Sequence, residues 1–431
     1  MQIIEYLNNQ LKTHPLDQVL SMLYEQYGIT GKVYQPVKLD ERKLILLNYD
    51  LLENGTEGCK FHPMTVECRS LVLLLENNYC KTASYAFSRF FNYAPIADVK
   101  AMEHSFLMKG IDISPFYLRV SATGEFQTET LALNKEDGSL IVLYFEPISQ
   151  QWFFRTRKML FCEEVKTEFK TIDGQCISYD TGKTWLEFIL ETVGCESLED
   201  LQSKMSHVSK TQSFIFEWIG KYNIQIVPQV GNKLVLLGVS DLNSMIVNVD
   251  STTERLEIES RRLATLSNIE PVLSFKVTTI QEAQRYLESQ ANLIEGLVLH
   301  QPEFGIRLKL KTQSYLDAFH LKSEGFTTDR ILESVANFTE SKVTKCFSHL
   351  EGLAEALEEL AIKRDIAIMS AQVLLDENNH LTIQKEFAEI AKTHLLCDLI
   401  FSARRMRLSV LEVWKTTKTS AKVRLMNKLN K

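Results

Sequence analysis

The sequence predicts an α+β body of antiparallel sheets with helices, followed by an all-α C-terminal domain. Three observations lead there. Up to about residue 322, short apolar runs of strand length recur between turn residues. Beyond Gly325 that pattern stops, and apolar residues return at three- and four-residue spacing. The 431 residues, 45% of them hydrophobic, exceed one ordinary core and suffice for two. The boundary therefore falls at 322/323, giving domains 1–322 and 323–431.

The elements follow in order. MQIIEYLNNQLKTHPLDQ reads as an amphipathic helix; it lacks the basic start, apolar run and small-residue cleavage site of a secretory leader. KLILLNY (43–49), SLVLLLE (70–76) and GSLIVLYF (138–145) read as strands. TWLEFILETV (184–193) reads as a helix, SFIFEWIG (213–220) and KLVLLGV (233–239) as strands, and IQEAQRYLESQ (280–290) as a helix. EGLVLH (295–300) and RLKLKT (307–312) complete the strand series. After them, Thr327 and Thr328 offer N-caps, and Leu353, Ala356, Leu357, Leu360 and Ala361 recur at helical spacing. Leu395 to Trp414 continues in the same manner. No run approaches the roughly 18 apolar residues of a membrane span, so no membrane partner is expected.

Charge is unevenly spread. The net charge is −7, which argues against a protein that simply coats nucleic acid. Residues 401–431 hold nine Lys/Arg against one acid, Glu412, a local balance of +8 that leaves −15 on the first 400 residues. A polyanion would then be gripped locally, by this tail or by a lined cleft. Arg404, Arg405 and Arg407 stand beside Leu408, Leu411 and Trp414, so one face could dock while the other meets phosphates; the bland alternative is a disordered cationic tail. The eight cysteines are scattered without a C-x-x-C pair, which suggests reduced thiols and a cytoplasmic setting, the nucleus remaining open. Cys59, His62 and Cys68 lack the second ligand pair that a zinc site needs.

Four segments carry candidate chemistry. Lys135-Glu136-Asp137-Gly138-Ser139 sets a lysine at a turn before an apolar strand, where glycine allows close backbone approach. Its bland reading is a hairpin turn with a solvated lysine. Arg307-Leu308-Lys309-Leu310-Lys311 alternates, so Lys309 and Lys311 share one strand face and the leucines pack behind. Two cations on one face invite an anion, although lysines also guard edge strands. Glu295-Gly296 opens another strand, as an ordinary turn acid or a ligand-facing one. In Phe214-Ile215-Phe216-Glu217-Trp218 one acid interrupts an apolar run, as a bonded core acid or a group facing a ligand.

Taken in order, K-E-D-G-S, F-E, E-G-L-V and K-L-K resemble the motif series of covalent nucleotidyltransferases: DNA ligases, RNA ligases and capping enzymes. The series is most similar to the bacteriophage RNA ligase 1 family. Glu67-Cys68-Arg69-Ser70 resembles its E-C-R-G, Ser88-Arg89-Phe90-Phe91-Asn92 its K-F-F-N, and Phe154-Arg155-Thr156-Arg157 its F-K-S-K. The resemblance covers about residues 60–320. It implies a nucleotidyltransferase (ATP-grasp-like ligase) body and an ATP-dependent RNA ligase. Lys135 would be the nucleophile toward the α-phosphate, and Lys309 and Lys311 would supply the positive field. Glu295 would position Mg²⁺, and Glu217 would bond the ribose. Arg69, Arg89 and Phe91 would line the nucleotide pocket, Gly138 would let backbone approach the sugar, and Arg157 and Tyr315 would stand at the rim.

Ser70 in place of glycine, Arg89 in place of lysine and Lys158 in place of glycine depart from the family pattern. The expected substrate is RNA with 5′-phosphate and 3′-hydroxyl ends, tRNA and RNA repair included, sealed through lysyl-AMP and RNA-adenylate. An end-healing kinase or phosphatase is the expected partner, a monomer the expected state, and RNA recognition the expected task of the helical domain. The rival readings are a DNA ligase or capping enzyme, and a degenerate protein that only binds RNA ends or tRNA.

Overall fold

The computed structural model describes residues 1–50, 61–94, 96–108, 112–121, 123–162, 168–170, 176–178, 183–220, 226–227, 231–242, 249–290, 294–316, 319, 328–346 and 353–430. They divide into two compact units, 1–168 with 178–312, and 313–431 with 169–177. Cys59, the 322/323 boundary, Gly325 and Thr327 lie outside the described residues.

Three sheets build the first unit. One is antiparallel and ordered β1 (Ile29–Tyr34), β2 (Lys43–Tyr49), β3 (Arg69–Glu76), β4 (Tyr79–Ser84). A second runs β15 (Ser274–Thr279), β6 (Glu125–Lys135), β16 (Gly296–Gln301), β17 (Ile306–Lys311), β5 (Phe91–Asn92); only its last pair is parallel. The third runs β13 (Val249–Asp250), β12 (Lys233–Asp241), β11 (Gln212–Ile219), β7 (Ser139–Glu146), β8 (Gln151–Thr156), with β14 (Ile269–Pro271) parallel to β12. A separate ribbon pairs β9 (Glu168–Lys170) with β10 (Cys176–Ser178).

The third sheet is buried on both faces. Ile141, Leu143 and Phe145 of β7 join Phe214, Phe216 and Trp218 of β11 in one core. Leu186 and Phe188 of α5 (Trp185–Thr192), Leu201 of α6 (Leu198–Lys204) and Leu256 of α7 (Thr253–Arg262) cover it. The alternate residues Val142, Tyr144 and Ile215 enter a second core. That core also holds the first sheet, with Ile3 and Leu7 of α1 (Gln2–Gln10) and Val19 and Leu23 of α2 (Leu16–Tyr27). Burial on two sides explains why GSLIVLYF and SFIFEWIG read as unbroken apolar runs. Each such side chain contributes about 1.5–3 kcal/mol by leaving water.

α3 (Pro63–Glu67) precedes the first motif, and α4 (Ile96–Leu107) follows β5. α8 (Ile280–Ser289) packs Ile280 and Ala283 against Ala132, Leu297 and Leu299 of the second sheet. One expectation changes at the N-terminus, where the single helix is two. Pro15 sits extended at the cap of α2 and lacks an N–H, so it separates α2 from α1.

The second unit is helical apart from the ribbon. α9 (Thr328–Ala336), α10 (Glu340–Cys346), α11 (Leu353–Asn378), α12 (Gln384–Ala391), α13 (Cys397–Met406), α14 (Val410–Thr416) and α15 (Thr419–Leu429) follow one another. Leu357, Leu360, Ala367, Ala371 and Leu375 form the inner face of α11, while Ala356 is exposed, against the spacing read from sequence. Arg364 is buried within it, donating to the Val335 carbonyl at 2.6 Å and pairing with Glu340 at 3.0 Å.

The basic C-terminus is folded, which overturns the disordered-tail alternative. Trp414 is fully buried and donates its indole N–H to the Ala336 carbonyl at 2.9 Å. Two of the tail's cations are used internally. Arg404 stacks 3.8 Å from the Phe387 ring and donates to the Leu381 carbonyl, so it does not belong to an outward phosphate-binding face. Lys422 is buried, bonded to Asn337 Oδ1 and the Lys415 carbonyl. Arg405, Arg407, Lys415, Lys418, Arg424 and Lys428 remain exposed.

Candidate active site

Strand register alone brings three motifs together. Across the second sheet, Lys135 on β6 lies opposite Gly296 on β16, and Gly296 lies opposite Lys311 on β17. Glu295 precedes that glycine and reaches both lysines. Its Oε2 is 2.6 Å from Lys135 Nζ, and its Oε1 is 2.8 Å from Lys311 Nζ. The carboxylate is 4% exposed, the two lysine side chains 20% and 21%. Gly296 has a φ of 151°, and a Cβ there would lie 2.1 Å from the Leu310 carbonyl oxygen. Any side chain would part β16 from β17 and pull Glu295 off its lysines.

Lys135 closes a strand instead of sitting in a turn, as the sequence had suggested. The polar start of β6, EFQTET, hid the strand that carries it. Glu136 to Gly138 then cross from the second sheet to the third, where β7 begins at Ser139. Asp137 secures that crossing, its Oδ2 accepting from the Ile226 and Val227 N–H groups at 2.6 Å each. Gly138 has a reason that sequence did not show. A Cβ there would stand 2.3 Å from the Trp218 carbonyl oxygen, so β7 could not approach β11.

Glu217, opposite Leu140 on the neighbouring strand, accepts the Gly138 N–H at 3.2 Å. Burial pushes its carboxyl up to about 7; Glu295 and Asp137 add to this, and Lys135 and Arg69 oppose it. Lys309 shows the reverse. Burial, with Arg69, Lys135 and Lys311 as like charges, brings its ammonium down to about 7. Its Nζ lies 4.8 Å from the centre of the Phe90 ring, which also receives the Arg69 guanidinium at 5.0 Å. Leu308 and Leu310 are buried behind the lysines, at 1% and 8% exposure.

A guanidinium cluster adjoins these groups. Arg89 and Arg157 both lie over the Tyr49 ring, at 4.5 Å and 4.8 Å. Burial lowers the Arg69 and Arg89 guanidiniums, and the Arg157 charge adds to both shifts. Arg69 Nη1, Arg89 Nη1 and Arg157 Nε are buried and have no hydrogen-bond partner among the described residues. Like charges gathered with unspent donors are costly unless an anion is to be received. Phe91 meets the Phe61 ring at 4.8 Å, tilted by 33°, and lies 5.2 Å under Arg89, so it braces the cluster. Tyr315 belongs to the second unit, where its ring stacks on Phe319.

Sequence reading missed Tyr49 and Phe90. Tyr49 ends the KLILLNY strand and Phe90 stands inside the Ser88–Asn92 motif, and only the fold reveals the cations stacked on them.

The arrangement offers a lysine amine held by a buried carboxylate, a cationic strand and a cluster of guanidiniums, each with one buried nitrogen that has no partner among the described residues. Among the described residues no group of three His, Cys, Asp or Glu side chains could hold a metal ion by itself. The donor set fits a cation shared between Glu295 and the phosphates of a bound nucleotide, the usual habit of magnesium.

No protein-family model matches the chain. A putative bifunctional polynucleotide kinase/RNA ligase of Autographa californica nuclear polyhedrosis virus is 22% identical over 366 residues, which cover 82% of this chain and 44% of that protein. The chain thus spans less than half the length of this curated relative. Among solved structures, an archaeal ATP-dependent RNA ligase (form 2) is similar at 12% identity and a TM-score of 0.41, covering 83% of this chain and 80% of that one. A Naegleria gruberi RNA ligase mutant with ATP and Mn is similar at 12% identity and a TM-score of 0.32, covering 45% of this chain and 52% of that one.

Proposed function

We propose that the chain is an ATP-dependent RNA ligase that carries AMP on Lys135 and seals a 5′-phosphate to a 3′-hydroxyl in RNA. The observation that carries this reading is the Glu295 carboxylate bridging Lys135 and Lys311, beside three arginines that each keep one buried nitrogen without a partner among the described residues. The resemblance of the motif series and the similarity to the viral kinase/ligase support it. A purely RNA-binding protein would have no use for a lysine and carboxylate so placed.

Each residue then has a task. The Lys135 amine, freed from Glu295 and deprotonated, attacks the α-phosphorus of ATP. A nitrogen–phosphorus bond forms, the bond to the β-phosphate oxygen breaks, and pyrophosphate leaves. Lys309 and Lys311 neutralise charge that grows on the phosphate oxygens. Arg69, Arg89 and Arg157 supply donors to the departing phosphates. Glu217 takes a hydrogen bond from the ribose. Glu295 would hold a divalent cation, magnesium by analogy, which would add further positive charge there. The 5′-phosphate of RNA next displaces Lys135, giving RNA-adenylate, and the 3′-hydroxyl displaces AMP. RNA repair, tRNA among its substrates, and a separate end-healing kinase or phosphatase belong to the same reading. The segment after β17 supports RNA ligase over capping enzyme or DNA ligase, because among the described residues 313–430 the regular elements are all helices, where those enzymes usually carry a β-barrel.

Incubation with ATP and a divalent metal should add the mass of one AMP to the protein. Sealing of nicked RNA but not of nicked DNA should follow; sealing of DNA alone would move the assignment to DNA ligase.

ATP binding should also take up a proton. The depressed Lys309 ammonium is mostly neutral above about pH 7 in the free protein. Phosphate contact restores its charge, so at pH 8.5 uptake should approach about one proton. Calorimetry in buffers of differing ionisation heat reads this directly. Lys309→Met should lose the uptake, and an uptake that persists would assign it elsewhere.

The exposed cations of the helical unit suit RNA. Arg424 and Lys428 lie four residues apart on α15, on one helix face. Replacing both with Gln should leave lysyl-AMP formation unchanged and weaken RNA binding. The log–log salt slope should fall by about 0.7–0.9 for each lost phosphate contact. An unchanged slope would remove α15 from the RNA path. Truncation at 401 is no substitute, because it would strip buried Trp414 and Met426 from the core.

A further inference from the structure

A β-bulge lies directly beneath Arg69. β3 pairs Leu71 with Leu47 and Arg69 with Asn48, so Ser70 is the extra residue between them. Its φ is 63°, the left-handed region that such a bulge normally gives to glycine. A serine keeps this conformation only where its surroundings hold it there.

Three contacts do so. The Ser70 N–H donates to Asn48 Oδ1 at 3.1 Å, and Asn48 Nδ2 donates to the Arg157 carbonyl at 2.9 Å. One asparagine thus ties together the backbones beside two of the clustered arginines. The third contact comes from Arg155, whose Nη1 donates to Ser70 Oγ. Arg155 is completely buried, and among the described residues it has no carboxylate partner. Its other donors reach Ser84 Oγ, at 3.1 Å and 3.0 Å, and burial brings the guanidinium down to about 10. A charge so placed is costly to the fold, and no phosphate-facing task has been found for it. Its place under the bulge suggests another task.

We propose that Arg155 is a positioning residue: through Ser70 Oγ it latches the β3 bulge and so aims the Arg69 guanidinium at the phosphates of ATP. The proposal rests on the ATP-binding reading given above. It gives meaning to one departure in the motifs, since the serine that stands where glycine is usual is held by a buried arginine on β8 of the third sheet. A bulge redirects the side chains that flank it, so a loosened latch should be felt at Arg69 before it is felt at Lys135.

The test measures ATP affinity without metal by calorimetry, and the KM and kcat of lysyl-AMP formation, in Ser70→Gly and Arg155→Lys proteins. Glycine suits the φ at residue 70, so the first variant should fold; lysine in the second retains one donor for Ser70. Ser70→Gly should raise Kd and KM for ATP roughly tenfold or more, the usual worth of a bond to a charged group, and leave kcat little changed. Arg155→Lys should fall between Ser70→Gly and wild type. In an Arg69→Ala background, Ser70→Gly should add nothing. Unchanged Kd in both variants, or an equal effect with and without Arg69, would overturn the latch. Wild-type protein that binds ATP yet forms no lysyl-AMP would overturn the proposed reaction instead, with the latch still judged on Kd. Failure of wild type to bind ATP would overturn both.

Discussion

Lys135→Ala protein should gain no AMP when incubated with ATP and a divalent metal, and it should unfold at nearly the wild-type temperature. The first half follows from chemistry. A lysyl-AMP needs an amine within reach of the α-phosphorus, and the neighbouring cations cannot stand in. Lys311 is held at the far oxygen of Glu295, and Lys309 rests on the Phe90 ring. The second half follows from geometry. Lys135 is the last residue of β6, and truncation leaves its backbone pairing with Gly296 intact. Glu295 keeps Lys311 as a partner, so no buried charge is left alone. Intact-mass measurement after incubation, together with a thermal melt, reads both halves. A tag that persists in Lys135→Ala protein would show that another lysine is the nucleophile. Loss of the tag with loss of the fold would leave Lys135 a structural residue. The same preparation given chemically adenylated RNA should still seal it, because that step uses no nucleophilic lysine. This separates a missing first step from a ruined active site.

How much of this was legible in the sequence depends on what each residue does. GSLIVLYF, SFIFEWIG and KLVLLGV were readable because two-sided burial leaves apolar runs with no polar interruption. β6 was not, because Glu125, Gln127 and Glu129 face water and alternate with Phe126, Thr128 and Thr130, so EFQTET reads as polar and only LAL is an apolar run in the cores. The lysine–carboxylate cluster could be suspected from motif order, but its cause is a row of strand register, Lys135–Gly296–Lys311, that no single motif contains. Gly138 was assigned to the nucleotide, and the structure adds a second need for it that the sequence did not show, the approach of β7 to the Trp218 carbonyl. The tasks of Tyr49, Asn48 and Arg155 escaped notice for a shared reason. Each acts through partners far along the chain, Asn48 on Arg157 and Arg155 on Ser70. The basic tail misled in another way. Charge counting treats Arg404 and Lys422 like their neighbours, although one is stacked on Phe387 and the other buried beside Asn337.

Alternation along β17 leads to the second large effect. Lys309→Ala and Lys311→Ala should each slow lysyl-AMP formation by about 10²–10³, the usual cost of losing one contact to a charged transition state. Leu308→Ala and Leu310→Ala should instead lower stability by about 2–5 kcal/mol, with the rate per folded molecule nearly kept. The division rests on where the strand places its side chains. Leu308 packs with Phe61, Ile113 and Tyr117, and Leu310 with Ala132, Leu297 and Leu299. The lysines alternate with them, toward Glu295 and Phe90. The two lysines should also differ from each other. Lys309 is held in its depressed state by burial among like charges, so removing it relieves repulsion and should raise the melting temperature slightly near pH 7. Lys311 is paired with Glu295, and its loss should give no such gain. The folded-state value of Lys309 lies below the unfolded one, so wild type carries a penalty that grows as pH falls from about 10.5 to about 7 and then stays constant. Lys309→Ala protein should therefore gain stability over wild type as pH drops through that window. Urea unfolding at pH 7 and pH 10, beside single-turnover adenylation rates, measures each expectation. Slow chemistry in the leucine variants, or unfolding in the lysine variants, would mean that the side chains of β17 point the other way.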